Sequence, residues 1–488
     1  MNTPLQDIAQ RFPTRLALID GDREWTWETI LHDAGMLADV LHREHAIQPG
    51  DTVATLLDNS AEHVILLHAI WLTGAAVAPL NTRLLRIERD RQLELLRPAM
   101  LVQTSVDAAP DPILDVPLAT LNELFSAKPD HDFFSADFDF DQPCSVLFTS
   151  GSSGTPKAVP HSWQQHRASA VASAENLGVR DDDNWQCVIP LYHIGGLAIL
   201  TRGVLHGIGT TLHDGFEPAS IAETLRSRRI TITSLVPTML HRLLQTDPDL
   251  EGSRYPELRA ILLGGAPAAD RLLAEIKKRR LPVLSTYGMT ESCSQVVTAS
   301  PDAHCRTAGS AGRPLHGVEL RICGENGKPL PGGMEGEIHL RGPMLTAGYL
   351  HHHALNSTRF ADGWFQTGDM GVLGDDGCLR VLARREDMII SGGENIYPAE
   401  IVSVLLAHED VQDAAVVGID DEEWGQRPCA AVILSKGTPV DELDGWCRER
   451  LSAYKVPRHW RIVDMLPRTQ TGKLLTGEVR KLFSRETI

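Results

Sequence analysis

The chain has no closely spaced cysteine pair. Its eight cysteines, Cys144, Cys187, Cys293, Cys305, Cys323, Cys378, Cys429 and Cys447, form no CxxC motif. This argues against a zinc site and against a disulfide framework, and the thiols read as buried groups of a reducing compartment. Positive charge is also scarce. Lys and Arg number 46 against 64 Asp and Glu, a net charge of −18. A nucleic-acid binder needs a basic face to neutralise phosphates, so no nucleic-acid partner is expected. An acidic membrane offers no long-range attraction either, and any anionic ligand must be held by local donors. Long hydrophobic runs are missing. The most apolar window, Val64 to Leu80, is broken at Gly74 and Pro79. It is too short to span a bilayer and reads as a helix, a turn and a strand, so no membrane insertion is expected. The opening residues, MNTPLQDIAQRFPTR, lack the apolar core of a secretion signal. The cytoplasm is the expected location. There is no internal repeat or low-complexity segment. The one homopolymeric run, His351-His352-His353, reads as a solvated turn, because consecutive residues do not converge on one ion.

What is present fits a soluble globular protein with a large core. Hydrophobic content of 42% and charged content of 23% are ordinary for a globular chain, and 488 residues allow about three domains. Apolar strand-like runs recur between helical stretches: Val53–Leu57, Ala75–Pro79, Ser145–Thr149, Gln186–Pro190, Thr231–Val236 and Arg259–Leu263. Strands apolar along their whole length belong to sheets covered on both faces, so the body is expected to be α/β. Near Gly312 the texture changes to short strands with Gly/Pro turns, such as Gly336-Glu-Ile-His-Leu-Arg341, which predicts a small β subdomain. The charged run Arg384-Arg385-Glu386-Asp387 marks a domain boundary. It divides a body of residues 1–384 from an α+β C-terminal domain of residues 385–488. In that domain Pro398 opens a helix with Ile401, Val404 and Leu405 on one face.

The most informative stretch is Leu147 to Lys157, LFTSGSSGTPK. A buried strand runs into a loop of Thr149, Ser150, Gly151, Ser152, Ser153, Gly154 and Thr155, and a helix is expected from about Ser162. Glycines let backbone N–H groups approach an anion, hydroxyls add donors, and Lys157 adds a positive charge. The loop does not match GxxxxGK[ST], so ATP phosphates would be held by a different architecture. A flexible Ser/Gly linker is the alternative reading.

Four more motifs lie at turns after strands, where α/β proteins collect ligand groups. Gly264-Gly265-Ala266-Pro267 allows a flat ring to lie against backbone, or is an ordinary tight turn. Tyr287-Gly288-Met289-Thr290-Glu291 offers an aromatic face, a hydroxyl and a carboxylate for Mg²⁺, or is a strand exit with a capping Thr. Trp364-Phe365-Gln366-Thr367-Gly368-Asp369 places a carboxylate suited to ribose hydroxyls, or a common turn Asp. Gly472-Lys473, in Pro467-Arg-Thr-Gln-Thr-Gly-Lys473, alone reads as a solvent-exposed lysine.

Taken in order, LFTSGSSGTPK, GGAP, YGMTE, WFQTGD, SGGENIYPAE and PRTQTGK resemble the adenylate-forming superfamily of acyl- and aryl-CoA ligases, stand-alone adenylation domains and beetle luciferases. The resemblance covers essentially the whole chain. Within the superfamily the chain most resembles the 2-succinylbenzoate–CoA ligase family of menaquinone biosynthesis. Tyr287-Gly-Met-Thr-Glu-Ser-Cys-Ser-Gln295, Gly309-Ser-Ala-Gly-Arg-Pro314, Ile389-Ile-Ser-Gly-Gly-Glu-Asn-Ile-Tyr-Pro398 and Pro190-Leu-Tyr-His193-Ile-Gly-Gly196 carry that likeness.

The resemblance implies an AMP-forming ligase with a large multi-subdomain α/β body of stacked sheets, a small β subdomain and a small mobile C-terminal domain. It implies ATP, Mg²⁺, coenzyme A and a small carboxylic acid as ligands, and it leaves a homodimer open. Thr149 to Lys157 would wrap the β- and γ-phosphates. Gly265, Ala266 and Tyr287 would enclose adenine, with Gly264 beside the acyl substrate. Thr290 would contact the phosphate chain and Glu291 would hold Mg²⁺. Asp369 and Arg384 would take the ribose, and Lys473 would bridge the acid and the α-phosphate. His193 would gate the acyl pocket and thiol tunnel, and Gly392 and Gly393 would line that tunnel. Ser294 and Gln295 are candidates for a second carboxylate or ketone of the substrate, a helix N-terminal turn being the alternative. The hinge residue, often Lys or Asp in these families, is Glu386, and Ala383 stands where Gly is usual. The rivals are a ligase for another aryl or medium-chain acid and a stand-alone enzyme loading a carrier protein.

Overall fold

The computed structural model describes residues 1–84, 86–104, 116–127, 136–149, 156–266, 268, 270–301, 309–384, 387–391, 394–421, 424–451, 453–469 and 474–484. All six apolar runs form strands, with ends displaced by up to three residues. They are Thr52–Leu56, Ala76–Pro79, Pro143–Thr149, Asn184–Cys187, Ile232–Leu235 and Ala260–Leu263.

Two sheets build the body. A six-stranded sheet holds Thr52–Leu56 and Ala76–Pro79 as parallel neighbours, with Pro143–Thr149 next. A nine-stranded sheet runs Asn184–Cys187, Ile232–Leu235, Ala260–Leu263 and Val283–Met289 in parallel order. Helices lie between them. Ala61–Leu72 is buried on every side, which a helix packed between two layers requires. It touches strands of both sheets. One core cluster joins Val53, Val77 and Leu147 of the first sheet to Leu18, Trp185 and Ile232 of the second. The window Val64 to Leu80 is, as expected, a helix, a turn at Gly74 and a strand.

The small β subdomain is a four-stranded antiparallel sheet that includes Glu335–Arg341, Phe365–Leu373 and Leu379–Arg384. Beyond it a five-stranded sheet, with Gly425–Leu434 at its centre and Val411–Asp421 at its edge, carries its own core of Ile396, Ile401, Leu405, Val416 and Val432. Pro398 is the first residue of the Pro398–Leu406 helix. The chain leaves the first of these sheets at Arg384 and enters the second at Ile389. Among the described residues no helix is long and apolar enough to cross a membrane.

The helix expected from about Ser162 forms, preceded by a strand that the sequence reading did not name. Lys157–Ser162 is a strand that folds back antiparallel on Pro143–Thr149, with Thr149 opposite Lys157. The helix Trp163–Leu177 begins only after it, capped reciprocally by Ser162 and Gln165. Ala158, Val159 and His161 are buried, as a strand covered on both faces requires. One expectation, concerning the thiols, is corrected. Six cysteines are free and buried, but Cys378 is disulfide-bonded. Folding, not sequence separation, decides which thiols meet, so the lack of a CxxC motif did not exclude a bridge.

Candidate functional site

Two adjacent parallel strands end side by side at the GGAP and YGMTE motifs. Val283–Met289 ends in the YGMTE motif and turns through a single 3₁₀ turn, Thr290–Ser292, into the antiparallel strand Ser294–Thr298. The turn is tight: a Cβ on Gly288 would fall 1.9 Å from the carbonyl oxygen of Ser294. Beside it, Ala260–Leu263 ends at Gly264, where a Cβ would meet the Thr286 methyl at 2.7 Å. Only glycine keeps these adjacent exits in contact. Ala266 lies exposed beyond Gly265.

Hydrogen bonds tie the motifs to one another. Tyr287 Oη donates to Asp369 Oδ2 at 2.7 Å, joining YGMTE to QTGD. Arg384 stands directly opposite Asp369 in the antiparallel ladder. Tyr349 Oη donates to Glu291 Oε1 at 2.8 Å. Lys157 Nζ lies 5.3 Å from the centroid of the same Tyr349 ring, so the lysine of the first motif and the carboxylate of the third share one tyrosine. His161, buried in the hairpin, donates Nε2–H to the Thr290 carbonyl at 2.7 Å. Burial pushes its pKa down to about 4, so the ring is neutral near pH 7.

The acyl-side candidates occupy a different wall. His193 is the residue before the Ile194–His206 helix, packed against Tyr192 with ring centroids 4.7 Å apart. Burial, with the Arg83 charge adding to it, brings its pKa down to about 4. Sequence reasoning missed the main group of this wall, Arg202, on the same helix. Its side chain is 3% exposed, and it donates to Ser169 Oγ at 3.2 Å and to Ser294 Oγ at 3.4 Å. Its Nε is buried without a hydrogen-bond partner, and burial lowers its pKa to about 10. Gln295 is also buried, and its Oε1 has no partner among the described residues. The signal was legible: one arginine inside the apolar run Leu197-Ala-Ile-Leu-Thr-Arg-Gly-Val-Leu205. Buried charge without a partner is costly, and such residues mark function.

His161, His166 and Cys293 place their ligand-type atoms within 4.8 Å of one another. The Arg202 charge disfavours a cation there, since it acts electrostatically on both His166 and Cys293. Burial also holds the Cys293 thiol protonated. Ser150 to Thr155, Glu386, Gly392, Gly393 and Lys473 lie outside the described residues.

The AMP-binding enzyme family model matches residues 5–350, and that of the AMP-binding enzyme C-terminal domain matches residues 400–473. The chain belongs to the AMP-binding enzyme family. Among its relatives is the 2-succinylbenzoate–CoA ligase of Bacillus licheniformis, 40% identical over 480 residues, 96% of this chain and 98% of that protein. The o-succinylbenzoate CoA synthetase of Bacillus subtilis, in complex with the acyl-adenylate intermediate OSB-AMP, superposes with a TM-score of 0.91 at 37% identity, covering 100% of this chain and 99% of that one. A double mutant of the Bacillus subtilis enzyme bound with its product analogue OSB-NCoA gives 0.77 at 38% identity, covering 98% of each.

Proposed function

We propose that this protein is an AMP-forming acid–CoA ligase acting on 2-succinylbenzoate. A carboxylate does not react with a thiol, because its oxygen is a poor leaving group. Its attack on the α-phosphorus of ATP expels pyrophosphate and leaves an acyl-adenylate. Attack by the CoA thiol then expels AMP, and the thiol proton leaves to solvent. Both reactants of the first step are anions. Screening by Lys157, by the donors of the 149–157 segment and by Lys473 is therefore the protein's main contribution, together with positioning. Glu291 and Thr290 offer the hard oxygen ligands that Mg²⁺ prefers, and the ion would neutralise phosphate charge. Asp369, fixed by Tyr287, faces the ribose.

The observation that carries the substrate reading is Arg202. 2-Succinylbenzoate has two carboxylates, and only one is activated. The other must enter an apolar site, where an unpaired carboxylate is expensive. A buried guanidinium with a free Nε supplies the partner, and it touches Ser294, beside Gln295.

Two units divided at 384/385 serve the two steps, with Lys473 on the C-terminal unit required for adenylation and Glu386 at the hinge. The higher similarity to the adenylate complex than to the product-analogue complex, at nearly equal identity, supports an adenylation arrangement here. The test is a pyrophosphate-release screen with product analysis over 2-succinylbenzoate, benzoate, cinnamate and octanoate, with and without CoA. Turnover of 2-succinylbenzoate far above the others, yielding the CoA thioester, is expected. Equal use of a simple aryl or fatty acid overturns the substrate assignment. Transfer to a carrier protein instead of CoA overturns the ligase assignment.

A further inference from the structure

Among the described residues, one short hydrogen bond with rigid parents on both sides joins the β subdomain to the C-terminal unit. Tyr397 Oη donates to Glu335 Oε2 at 2.8 Å. Tyr397 is 8% exposed. It lies between Ile396, fully buried in the C-terminal core, and Pro398, which opens the Pro398–Leu406 helix. Glu335 is the first residue of Glu335–Arg341 and is paired in register with Val372 of the neighbouring strand. Neither residue can follow the other if the two units turn. Burial and the adjacent carboxylate both raise the tyrosine pKa, so the hydroxyl keeps its proton at every pH the enzyme meets.

His241, on the Pro237–Thr246 helix of the body, has its pKa lowered by burial and by the Arg271 charge, an effect that the Asp413 carboxylate on Val411–Asp421 partly opposes. Only the short connection from Arg384 to Ile389 joins the C-terminal unit covalently to the body.

We infer that the Tyr397–Glu335 hydrogen bond is a latch that holds the C-terminal unit in the adenylation orientation and is released before thioester formation. This rests on the two-orientation reading above and names the group that sets its balance. A hydrogen bond to a carboxylate is stronger than a neutral one. Glu335 is exposed, so water can replace the tyrosine when the two part, and the effect is a bias in population, not a lock. Tyr397 and Glu335 are positioning residues, since neither reaches the reacting atoms.

The experiment measures two half-reactions on each variant: adenylate formation from acid and ATP, and thioester formation from synthetic adenylate and CoA. Tyr397→Phe is expected to slow the first about tenfold while leaving the second as fast as the parent or faster. Glu335→Ala should do the same, and the double variant should lose no more than either single one. Glu335→Gln should recover most of the rate, because its amide oxygen still accepts. Equal loss of both half-reactions, no change in either, or additive losses in the double variant overturns the latch. Lys473→Ala is the control: a normal split there with none in Tyr397→Phe overturns the latch alone, and no split in Lys473→Ala overturns the two-orientation reading beneath it.

Discussion

On the side proposed for the nucleotide, Tyr287 already donates to Asp369 and Tyr349 to Glu291. On the side proposed for the acid, Arg202 Nε and Gln295 Oε1 are buried without partners among the described residues. The first wall is satisfied before any ligand arrives, so it holds its geometry and gains from a ligand mainly by adding contacts. The second is unsatisfied until an acid with the right second group enters. A satisfied wall gives rate through preorganisation; an unsatisfied one gives discrimination, because the wrong substrate leaves a buried charge unpaired.

The largest effect expected from this contrast is on the acyl side. An analogue of 2-succinylbenzoate lacking the ring carboxylate should be rejected roughly ten-thousandfold in kcat/KM, the scale found when a polar site meets a ligand without its group. Arg202→Met should reduce that ratio to about tenfold or less, the remainder being ordinary contact energy. Competition kinetics with both acids checks this, and an undiminished ratio in Arg202→Met would remove Arg202 from substrate recognition.

Next in size is the nucleotide side. Glu291→Gln keeps the shape and an acceptor for Tyr349 but removes the charge. Adenylate formation should fall roughly a hundred- to thousandfold, as for loss of one well-placed electrostatic group, with the melting temperature little changed. Near-normal adenylation in Glu291→Gln would show that the carboxylate serves only to cap the turn and hold Tyr349.

The smallest expected effect is an absence. Burial lowers the His193 pKa to about 4, so the imidazole is neutral throughout the working range and protonates only well below pH 6. The pH profile of thioester formation should therefore show no inflection near 6.5 that His193→Ala abolishes. Such an inflection would mean that the gate wall is wetter than its packing implies.

Much of this was legible in the sequence. The six strand runs, the β subdomain and the Pro398 helix follow from apolar patterning and turn residues, which are local signals. The motifs at Tyr287, Glu291 and Asp369 were legible as candidates because chemistry-bearing residues follow strands. What was hidden is tertiary. Nothing local says that Tyr349 bridges Lys157 to Glu291, or that Tyr287 reaches Asp369. The Lys157–Ser162 strand was not named in the sequence reading, because its pairing with Pro143–Thr149 is a tertiary contact and not a local signal. Arg202 was passed over because a lone charge in an apolar helix was not weighed as a signal.

The hairpin has a consequence for length variation in this chain. Along Lys157–Ser162 alternate side chains face opposite sides of the sheet, so deleting one residue inside it would turn Lys157 away from Tyr349 and bring buried positions to the surface. The same deletion beyond either end of the ladder leaves every rung in place. A scan of single-residue deletions should thus divide sharply at Thr149 and Lys157, with folding lost inside the paired strands and only nucleotide affinity changed between them.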